Sequence, residues 1–210
     1  PGEELARGEI YESNSFGISG LVNWLGHEPV RMQCVGDTID DLRDTLNQAS
    51  TQCDLVITSG GVSMGEWDLV RKIMEEEGEL HFWRVKLRPG SPPLFGLWNN
   101  TPIFGLPGNP VSSHVVFRML VAPWIRHNTR ANGPIENRAV AKLTTKLKST
   151  ADCLTLRRVS LQTVEGELLA EQKIHQGSGN LASMAMSEGM AILQPGIEYS
   201  TGDMVEVMFL

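Results

Sequence analysis

The segment that decides the fold runs from Asp54 to Asp68 and reads DLVITSGGVSMGEWD. Residues 55–57 form an uninterrupted apolar run, which is typical of a strand buried on both faces. Glycine and hydroxyl side chains then dominate, and two carboxylates, Glu66 and Asp68, end the segment. We therefore expect a core strand that ends in a ligand-accepting loop at the edge of a sheet.

Composition excludes several classes of protein. The chain has 210 residues and a net charge of −7, which argues against general binding to nucleic-acid phosphates. Its three cysteines are far apart and form no CxxC pair, so we expect neither a disulfide framework nor a zinc site, and a cytoplasmic location. No apolar run approaches the roughly 20 residues of a membrane span. Because the chain begins at Pro1, we expect a fragment of a longer protein, although proteolytic processing would look the same.

The periodicity of the sequence divides the chain into two regions. Residues 1–130 alternate between helix and strand signals, which predicts a three-layer α/β domain with a mainly parallel sheet. Within it we expect a strand at 29–35 and a hairpin over 93–106. Residues 135–210 show short alternating strands separated by turn residues, which predicts a small all-β barrel domain.

The glycine loop admits two interpretations. Gly60, Gly61 and Gly65 allow positive φ angles and a close approach of the backbone to a ligand, and exposed N–H groups there favour a phosphate. Glu66 and Asp68 oppose an anion unless a hard cation such as Mg²⁺ lies between them. A tight strand-to-helix turn with capping carboxylates is an equally good account from spacing alone.

Two further segments favour a composite site. In the stretch at 84–88, RVKLR, the basic residues alternate with apolar ones, so three cations are expected on one strand face, beside the PGSP turn at 89–92. The stretch at 105–113, GLPGNPVSS, is a second turn that opens a helix. Three such loops at the ends of strands predict one phosphate-accepting cleft rather than three unrelated turns.

These motifs identify a family resemblance. TSGGVSMGEWD, RPGSP, GLPGNPVSS, the entry segment GEIYESN and HQGSGNLAS near the end resemble, in order, the MoeA/gephyrin E-domain family of molybdopterin molybdenumtransferases. The resemblance covers nearly the whole chain and corresponds to the C-terminal portion of that family. It implies a MogA-like domain followed by a β-barrel.

The resemblance also implies a reaction and partners. Adenylylated molybdopterin is bound, molybdate enters at the dithiolate, and AMP leaves in the presence of Mg²⁺. A homodimer and a MogA-like adenylyltransferase are the implied protein partners; no nucleic acid and no membrane are expected. The implied catalytic residues are Asp37, Asp68 and Arg88, and Asp68 with Glu66 is the implied metal site. The implied ligand-binding residues are Gly60, Gly61, Ser63, Gly65, Gly90, Ser91, Gly108, Asn109 and Ser112.

Two features keep other functions open. Ser91 stands where many family members have lysine, which removes a cation from the anion site, and Glu12 stands where aspartate is common. The family's preceding segment and N-terminal domains are absent before Pro1, so we expect this chain alone to be inactive. A molybdopterin-binding or scaffold domain without full activity, or a related nucleotide-binding hydrolase, is the alternative.

Overall fold

The computed structural model describes residues 4–7, 11–36, 38–63, 68–132, 137–173 and 175–210. The helices of the first region are α1 (Asn14–Trp24), α2 (Ile39–Gln52), α3 (Leu69–Glu76), α4 (Pro110–Val116) and α5 (Ala122–Asn128), with a π-helical turn, Phe117–Val121, joining α4 to α5. Its strands are β1 (Val56–Ser59), β2 (Glu79–Trp83), β3 (Leu87–Arg88), β4 (Leu94–Trp98) and β5 (Thr101–Leu106). The second region contains β6 (Arg138–Leu143), β7 (Leu147–Lys148), β8 (Leu154–Val164), β9 (Glu167–Glu171), α6 (Ala182–Ala185), β10 (Gly189–Leu193), β11 (Glu198–Tyr199) and β12 (Met204–Phe209).

The first region has three layers around a four-stranded sheet in the order β1-β5-β4-β2. Alternate residues of a strand face opposite sides, and β5 shows the consequence. Ile103 packs in the core cluster formed with α2 and α3, whereas Phe104 packs in the cluster formed with α1, α4 and α5. Helices on both sides thus cover the sheet, as the three-layer prediction requires.

The prediction of a mainly parallel sheet is wrong for the described strands. Within this sheet, only β1 and β5 of the described strands pair in parallel, while β4 pairs antiparallel with both β5 and β2. The reason is local, because the predicted hairpin forms around the Asn99–Asn100 turn, where both residues have positive φ angles.

The chain at and before the start of α2 contains a helix cap but not the predicted strand. Thr38 caps α2 by accepting a hydrogen bond from the Asp41 backbone N–H at 3.2 Å, as a capping threonine should. Residues 29–35, predicted as a strand, have no regular secondary structure. These residues follow α1, and the described part of the sheet offers them no pairing partner.

The second region is a closed barrel. Its strands pair in the ring β8-β9-β6-β12-β10, and β10 pairs back onto β8. Inward-facing apolar residues such as Ala141, Val159, Leu193 and Val207 fill the interior and are nearly or completely buried. Closure removes exposed strand edges from most of this small domain.

The two regions share a strand pairing and a core. β3 from the first region pairs in parallel with β8, with Leu87 opposite Leu154. Leu87, Val116 and Phe117 lie in one buried cluster with Leu156 and Met190 of the barrel. α5 ends at Asn128 and β6 begins at Arg138, while residues 133–136 lie outside the described residues; the boundary between 130 and 135 stays a prediction. Among the described residues, no helix has the length and apolar character needed to cross a membrane.

Candidate functional site

The parallel pair of strands brings two loops to one edge of the sheet. The glycine loop follows β1, and the turn Pro107–Asn109 follows β5. Gly60 and Gly61 have φ angles of 91° and 68°, which a glycine adopts without a steric cost. The Gly60 backbone N–H donates to the Leu106 carbonyl at 2.9 Å, so the two loops are hydrogen-bonded where they meet.

Asn14, at the start of α1, holds these two loops together. Its amide nitrogen donates to Ser59 Oγ at 2.7 Å and to the Gly108 carbonyl at 2.8 Å. Its amide oxygen is buried and has no hydrogen-bond partner among the described residues. Glu12 supports the same end of the helix, since its carboxylate accepts from the Ser15 backbone N–H at 2.7 Å and from the Ser15 hydroxyl at 2.6 Å.

Opposing effects act on the pKa of the Glu12 carboxyl. Burial raises its pKa, but the hydrogen bonds from Ser15 and Asn14 and the nearby Arg31 charge lower it, and the net effect is a pKa below the usual value. Glu12 is therefore charged near neutral pH and complements the positive end of α1.

The third loop, residues 88–92, packs against α4 between Ser112 and Val116. Gly90 has a φ angle of 112°, and a Cβ atom there would lie 2.7 Å from Val116 Cγ2. Arg88 projects from the end of β3 into the cleft. The prediction that Arg84, Lys86 and Arg88 share one strand face is wrong, because Arg84 has a φ angle of 73° and interrupts the extended chain between β2 and β3.

The barrel supplies the opposite wall of the site. Thr150, Thr155 and Arg157 come from β8 and the loop before it, and Gln176 and Ser178 from the segment that leads to α6. The Ser178 carbonyl accepts a hydrogen bond from the Val111 backbone N–H at 3.1 Å, which ties this segment to the first turn of α4. The cleft is therefore shared by both regions of the chain.

The three loops and the barrel wall enclose a cleft of about 500 Å³, within the size range of small-molecule sites. Eight of the nine predicted ligand-binding residues line it: Gly60, Gly61, Ser63, Gly90, Ser91, Gly108, Asn109 and Ser112. Arg88 and Arg157 are its cations, and Asp68 is the single acid among the described lining residues. This balance suits an anionic ligand with one position for a hard cation.

Asp68 lies at the N-terminus of α3 without acting as a conventional cap. Its side chain makes no capping hydrogen bond to the helix, and it is partly buried in the cleft wall. Among the described residues there is no group of three or more His, Cys, Asp or Glu side chains that could hold a metal ion. Asp37, Gly65 and Glu66, also predicted as site residues, lie outside the described residues.

Serine side chains in the cleft have distinct environments. Ser91 Oγ donates to the Val85 carbonyl at 3.1 Å, so its hydroxyl ties the 88–92 loop to the segment before β3. Ser113 donates to the Pro107 and Asn109 carbonyls and stabilises the turn before α4. Ser112 is buried and faces the cleft, whereas the Asn109 side chain makes no capping bond to α4.

Sequence reasoning missed Asn14 and the whole barrel wall. The resemblance places the HQGSGNLAS segment in the barrel without a ligand role, although Gln176 and Ser178 within it line the cleft. A run of small and hydrogen-bonding residues between two strands was the available signal. Asn14 gave none beyond its helix-capping residue type, because its partners are 45 and 94 residues away.

Comparison with known proteins gives the same division of the chain. Residues 1–127 match the family described as "Probable molybdopterin binding domain", and residues 140–210 match the "MoeA C-terminal region (domain IV)". The molybdopterin molybdenumtransferase of Haemophilus influenzae is 40% identical over 124 residues, which are 59% of this chain and 31% of the relative. Molybdopterin molybdenumtransferase 2 of Mycobacterium tuberculosis is 31% identical over 214 residues, covering 99% of this chain and 52% of the relative.

Solved structures agree with these relatives. The molybdopterin biosynthesis MoeA protein from Pyrococcus horikosii superposes with a TM-score of 0.83 at 30% identity, over 100% of this chain and 50% of that one. The chain thus spans about half the length of the relatives that it matches from end to end. With both regions matched in order and the MogA-like domain and barrel present, the chain belongs to the MoeA family of molybdenum cofactor biosynthesis.

Proposed function

We propose that this chain binds adenylylated molybdopterin together with Mg²⁺ in the cleft, and contributes to molybdate insertion with release of AMP. The observation that carries the proposal is the convergence of three glycine-containing loops and two arginines, Arg88 and Arg157, on one cleft that also holds Asp68. Family membership supports molybdopterin as the ligand, since the curated relatives are named molybdopterin molybdenumtransferases.

The groups in the cleft suit the parts of this ligand. Backbone turns at Gly60 and Gly108 leave room for phosphate oxygens, because these residues have no Cβ atoms, whereas the missing Cβ of Gly61 allows close packing against Val70. Arg88 and Arg157 compensate negative charge on the phosphates and on the departing AMP, with Arg157 offering several donors in a fixed plane. These residues bind and orient the ligand so that the phosphoanhydride bond to AMP and the dithiolate occupy defined positions.

Among the described residues that line the cleft, one carboxylate, Asp68, fits Mg²⁺. Asp68 would hold the ion with phosphate oxygens of the ligand, a donor set in which one protein carboxylate is sufficient. When bound, Mg²⁺ supplies charge neutralisation at the phosphates. We propose the carboxylates of Asp37 and Glu66 as further contributors to the same Mg²⁺ site.

The proposal extends to partners and location. A homodimer is supported by exposed apolar side chains on and beside α1, where Phe16, Trp24 and Val30 are 48%, 56% and 56% exposed. A MogA-like adenylyltransferase is the proposed source of the ligand. A cytoplasmic location is supported by Cys34, Cys53 and Cys153, which are free thiols.

A second candidate function is binding without turnover. The observation that favours it is Ser91, which replaces a lysine common in the family and whose hydroxyl is engaged with the Val85 carbonyl rather than with the cleft. The loss of one cation lowers the stabilisation available to an anionic transition state. Molybdate-dependent AMP release separates the candidates: a chain that binds adenylylated molybdopterin but releases no AMP is a binding domain.

The test of the metal proposal replaces Asp68 with asparagine, which keeps the shape and removes the charge. We expect the affinity for adenylylated molybdopterin in Mg²⁺ to fall by about tenfold or more, equivalent to ~1.4 kcal/mol, with little change in unfolding free energy. Asp54→Asn is the matched control, since Asp54 is exposed before β1 and outside the cleft. Calorimetric titration with and without Mg²⁺ measures the effect, and equal Mg²⁺-dependent affinities for Asp68→Asn and the unchanged chain would exclude the metal role.

A further inference from the structure

Groups outside the glycine loop hold two of its successive carbonyl groups. The Gly61 carbonyl accepts a hydrogen bond from the Arg71 backbone N–H at 3.0 Å, which satisfies a donor in the first turn of α3. The Val62 carbonyl accepts a hydrogen bond from the Trp83 indole Nε1–H at 2.8 Å. The two peptide units that contain these carbonyls are therefore fixed by α3 and by the end of β2.

The direction of each carbonyl also sets the direction of the next N–H group. In a planar trans peptide, the C=O of one residue and the N–H of the following residue point in opposite directions. Because the carbonyls of Gly61 and Val62 point toward α3 and Trp83, the N–H groups of Val62 and Ser63 point the other way. These two N–H groups donate to no acceptor among the described residues, and both residues line the cleft. They are thus donors that a ligand in the cleft can use.

Trp83 itself is held from several sides. Its backbone pairs with β4, and its ring packs against the buried core cluster beside α2 and α3. The Arg71 guanidinium carbon lies 4.2 Å from the centre of the indole ring, and that of Arg84 lies 5.2 Å from it. Cations over the face of an aromatic ring are attracted to it. These contacts keep the indole N–H directed at the Val62 carbonyl.

The Arg71 side chain supports the same arrangement. Its Nη1 lies 3.4 Å from the Ser63 carbonyl, and its Nε donates to Glu75 Oε1 at 3.0 Å, one turn further along α3. The guanidinium is thus held between α3, the indole ring and the glycine loop. Neither Arg71 nor Trp83 lines the cleft, so any effect of these two side chains on a ligand acts through the loop.

We propose that Trp83 is a positioning residue. Its indole N–H, acting through the Val62 carbonyl, directs the Ser63 backbone N–H into the cleft as a donor to a phosphate oxygen of the ligand. A backbone donor that is fixed before the ligand arrives avoids the entropic cost of ordering the loop on binding. The inference rests on the proposed function only for the identity of the bound anion.

The test first measures the loop without ligand. Residual dipolar couplings of the ¹⁵N-labelled chain report the orientation of the Ser63 N–H relative to the sheet. Trp83→Phe keeps an aromatic ring but removes the indole donor, so we expect the Ser63 coupling to change while the couplings of β4 and β5 keep their values. The isostere 3-benzothienylalanine at position 83 replaces the indole N–H with sulfur and keeps the size of the ring. It should change the Ser63 coupling in the same way, even if the smaller ring of Trp83→Phe disturbs the core.

Trp98→Phe is the matched control. Trp98 belongs to the same buried cluster, and its Nε1–H donates to Asn47 Oδ1 at 2.9 Å. It pairs with Thr101, the first residue of β5, so it lies at the end of the sheet away from the cleft. We expect Trp98→Phe to lower the unfolding free energy but to leave the Ser63 coupling unchanged.

A second arm measures AMP binding through the amide shifts of Gly61 and Ser63. We expect the dissociation constant for AMP to rise on the order of tenfold in both variants at position 83, because a hydrogen bond to a charged group is lost, and to stay unchanged in Trp98→Phe. The inference is overturned if the Ser63 coupling does not change in either position-83 variant. It is also overturned if all three variants bind AMP with the same affinity.

The two arms separate this inference from the proposed function. If the unchanged chain does not bind AMP, the result counts against phosphate binding in the cleft, and the ligand-free couplings still decide the role of Trp83. If the unchanged chain binds AMP but the Ser63 coupling is insensitive to Trp83→Phe and to the isostere, the role of Trp83 is excluded and the proposed function stands.

Discussion

The two walls of the cleft are built in different ways. The α/β wall consists of backbone turns at Gly60, Gly61 and Gly108, held by hydrogen bonds between loops. The barrel wall consists of side chains such as Arg157 and Gln176, which project from a closed sheet and its adjoining segment. We therefore expect the two walls to respond differently to substitution. Added side-chain atoms should disrupt the α/β wall, whereas loss of charge or of hydrogen-bond donors should disrupt the barrel wall.

The walls are nevertheless parts of one packed unit. β3 belongs to the chain of the α/β region but extends the barrel sheet, and Arg88 at its end lies opposite Thr155 of β8. The buried cluster around Val116 and Leu156 continues across the same boundary. Core packing therefore couples the two walls, so a substitution that disturbs either wall should also weaken ligand binding in the cleft.

The largest effect is expected for Gly90→Ala on the α/β wall. The new Cβ would lie 2.7 Å from Val116 Cγ2 and 3.3 Å from the Ser112 carbonyl oxygen, at a φ angle of 112°. Backbone strain and overpacking together should lower the unfolding free energy by about 3 kcal/mol. Urea denaturation measures this change.

Gly166→Ala is the matched control for that prediction. Gly166 lies in the β8–β9 turn with a φ angle of 86°, but a Cβ atom there has no neighbour within 4 Å among the described residues. Strain alone should then cost about 1 kcal/mol. Equal losses of unfolding free energy in the two variants would show that the positive φ angle alone determines the loss. The α/β wall would then be no more tightly packed than a barrel turn.

A smaller effect is expected for Asn14→Ala, which removes the side-chain hydrogen bonds that link the two loops of the α/β wall. Losing the hydrogen bonds to Ser59 and Gly108 should lower the unfolding free energy by about 2 kcal/mol and weaken ligand binding by misplacing both loops. Asn23→Ala is the control, since Asn23 is exposed on the same helix.

Hydrogen exchange at the Gly60 amide provides a readout specific to the loops. This amide donates to the Leu106 carbonyl, and its protection should fall in Asn14→Ala more than in Asn23→Ala. Unchanged protection, with unchanged affinity, would mean that the backbone alone holds the α/β wall together.

The α/β wall was largely predictable from the sequence, and the barrel wall was not. Gly60, Gly61 and Asn109 belong to turns whose signals are local, so the strand ends and the cleft between them follow from neighbouring residues. Arg157 and Gln176 come together through barrel closure and through the contacts of Arg158, which depend on residues 17 to 19 positions apart. Pattern alone also placed Arg84 on the face of Arg88, because a left-handed residue within an extended stretch has no signal in its neighbours.

The smallest expected effect is a pH dependence of the unfolding free energy, which arises from a buried histidine packed behind the α/β wall. His114 of α4 packs under α1, where a Cβ atom on Gly17 would lie 2.6 Å from His114 Nε2. Burial lowers the pKa of His114, and the Arg118 charge lowers it further. In the folded chain this imidazole therefore stays neutral at pH values at which it is protonated in the unfolded chain.

The sign of the pH dependence follows from the direction of that shift. Above the unfolded pKa of about 6.5 both states hold a neutral imidazole, and the contribution of His114 to stability is complete. As the pH falls below that value the unfolded chain takes up a proton first, so the unfolding free energy falls, by at most ~1.4 kcal/mol per pH unit, until the folded pKa is reached. Urea denaturation at pH 7.5 and pH 5.5 should show a smaller difference for His114→Gln than for the unchanged chain, while His127→Gln, which alters an exposed histidine of α5, should keep the full difference. If His114→Gln retains the whole pH dependence, His114 is not the group whose titration changes the stability. The backbone turns alone then distinguish the α/β wall from the barrel wall.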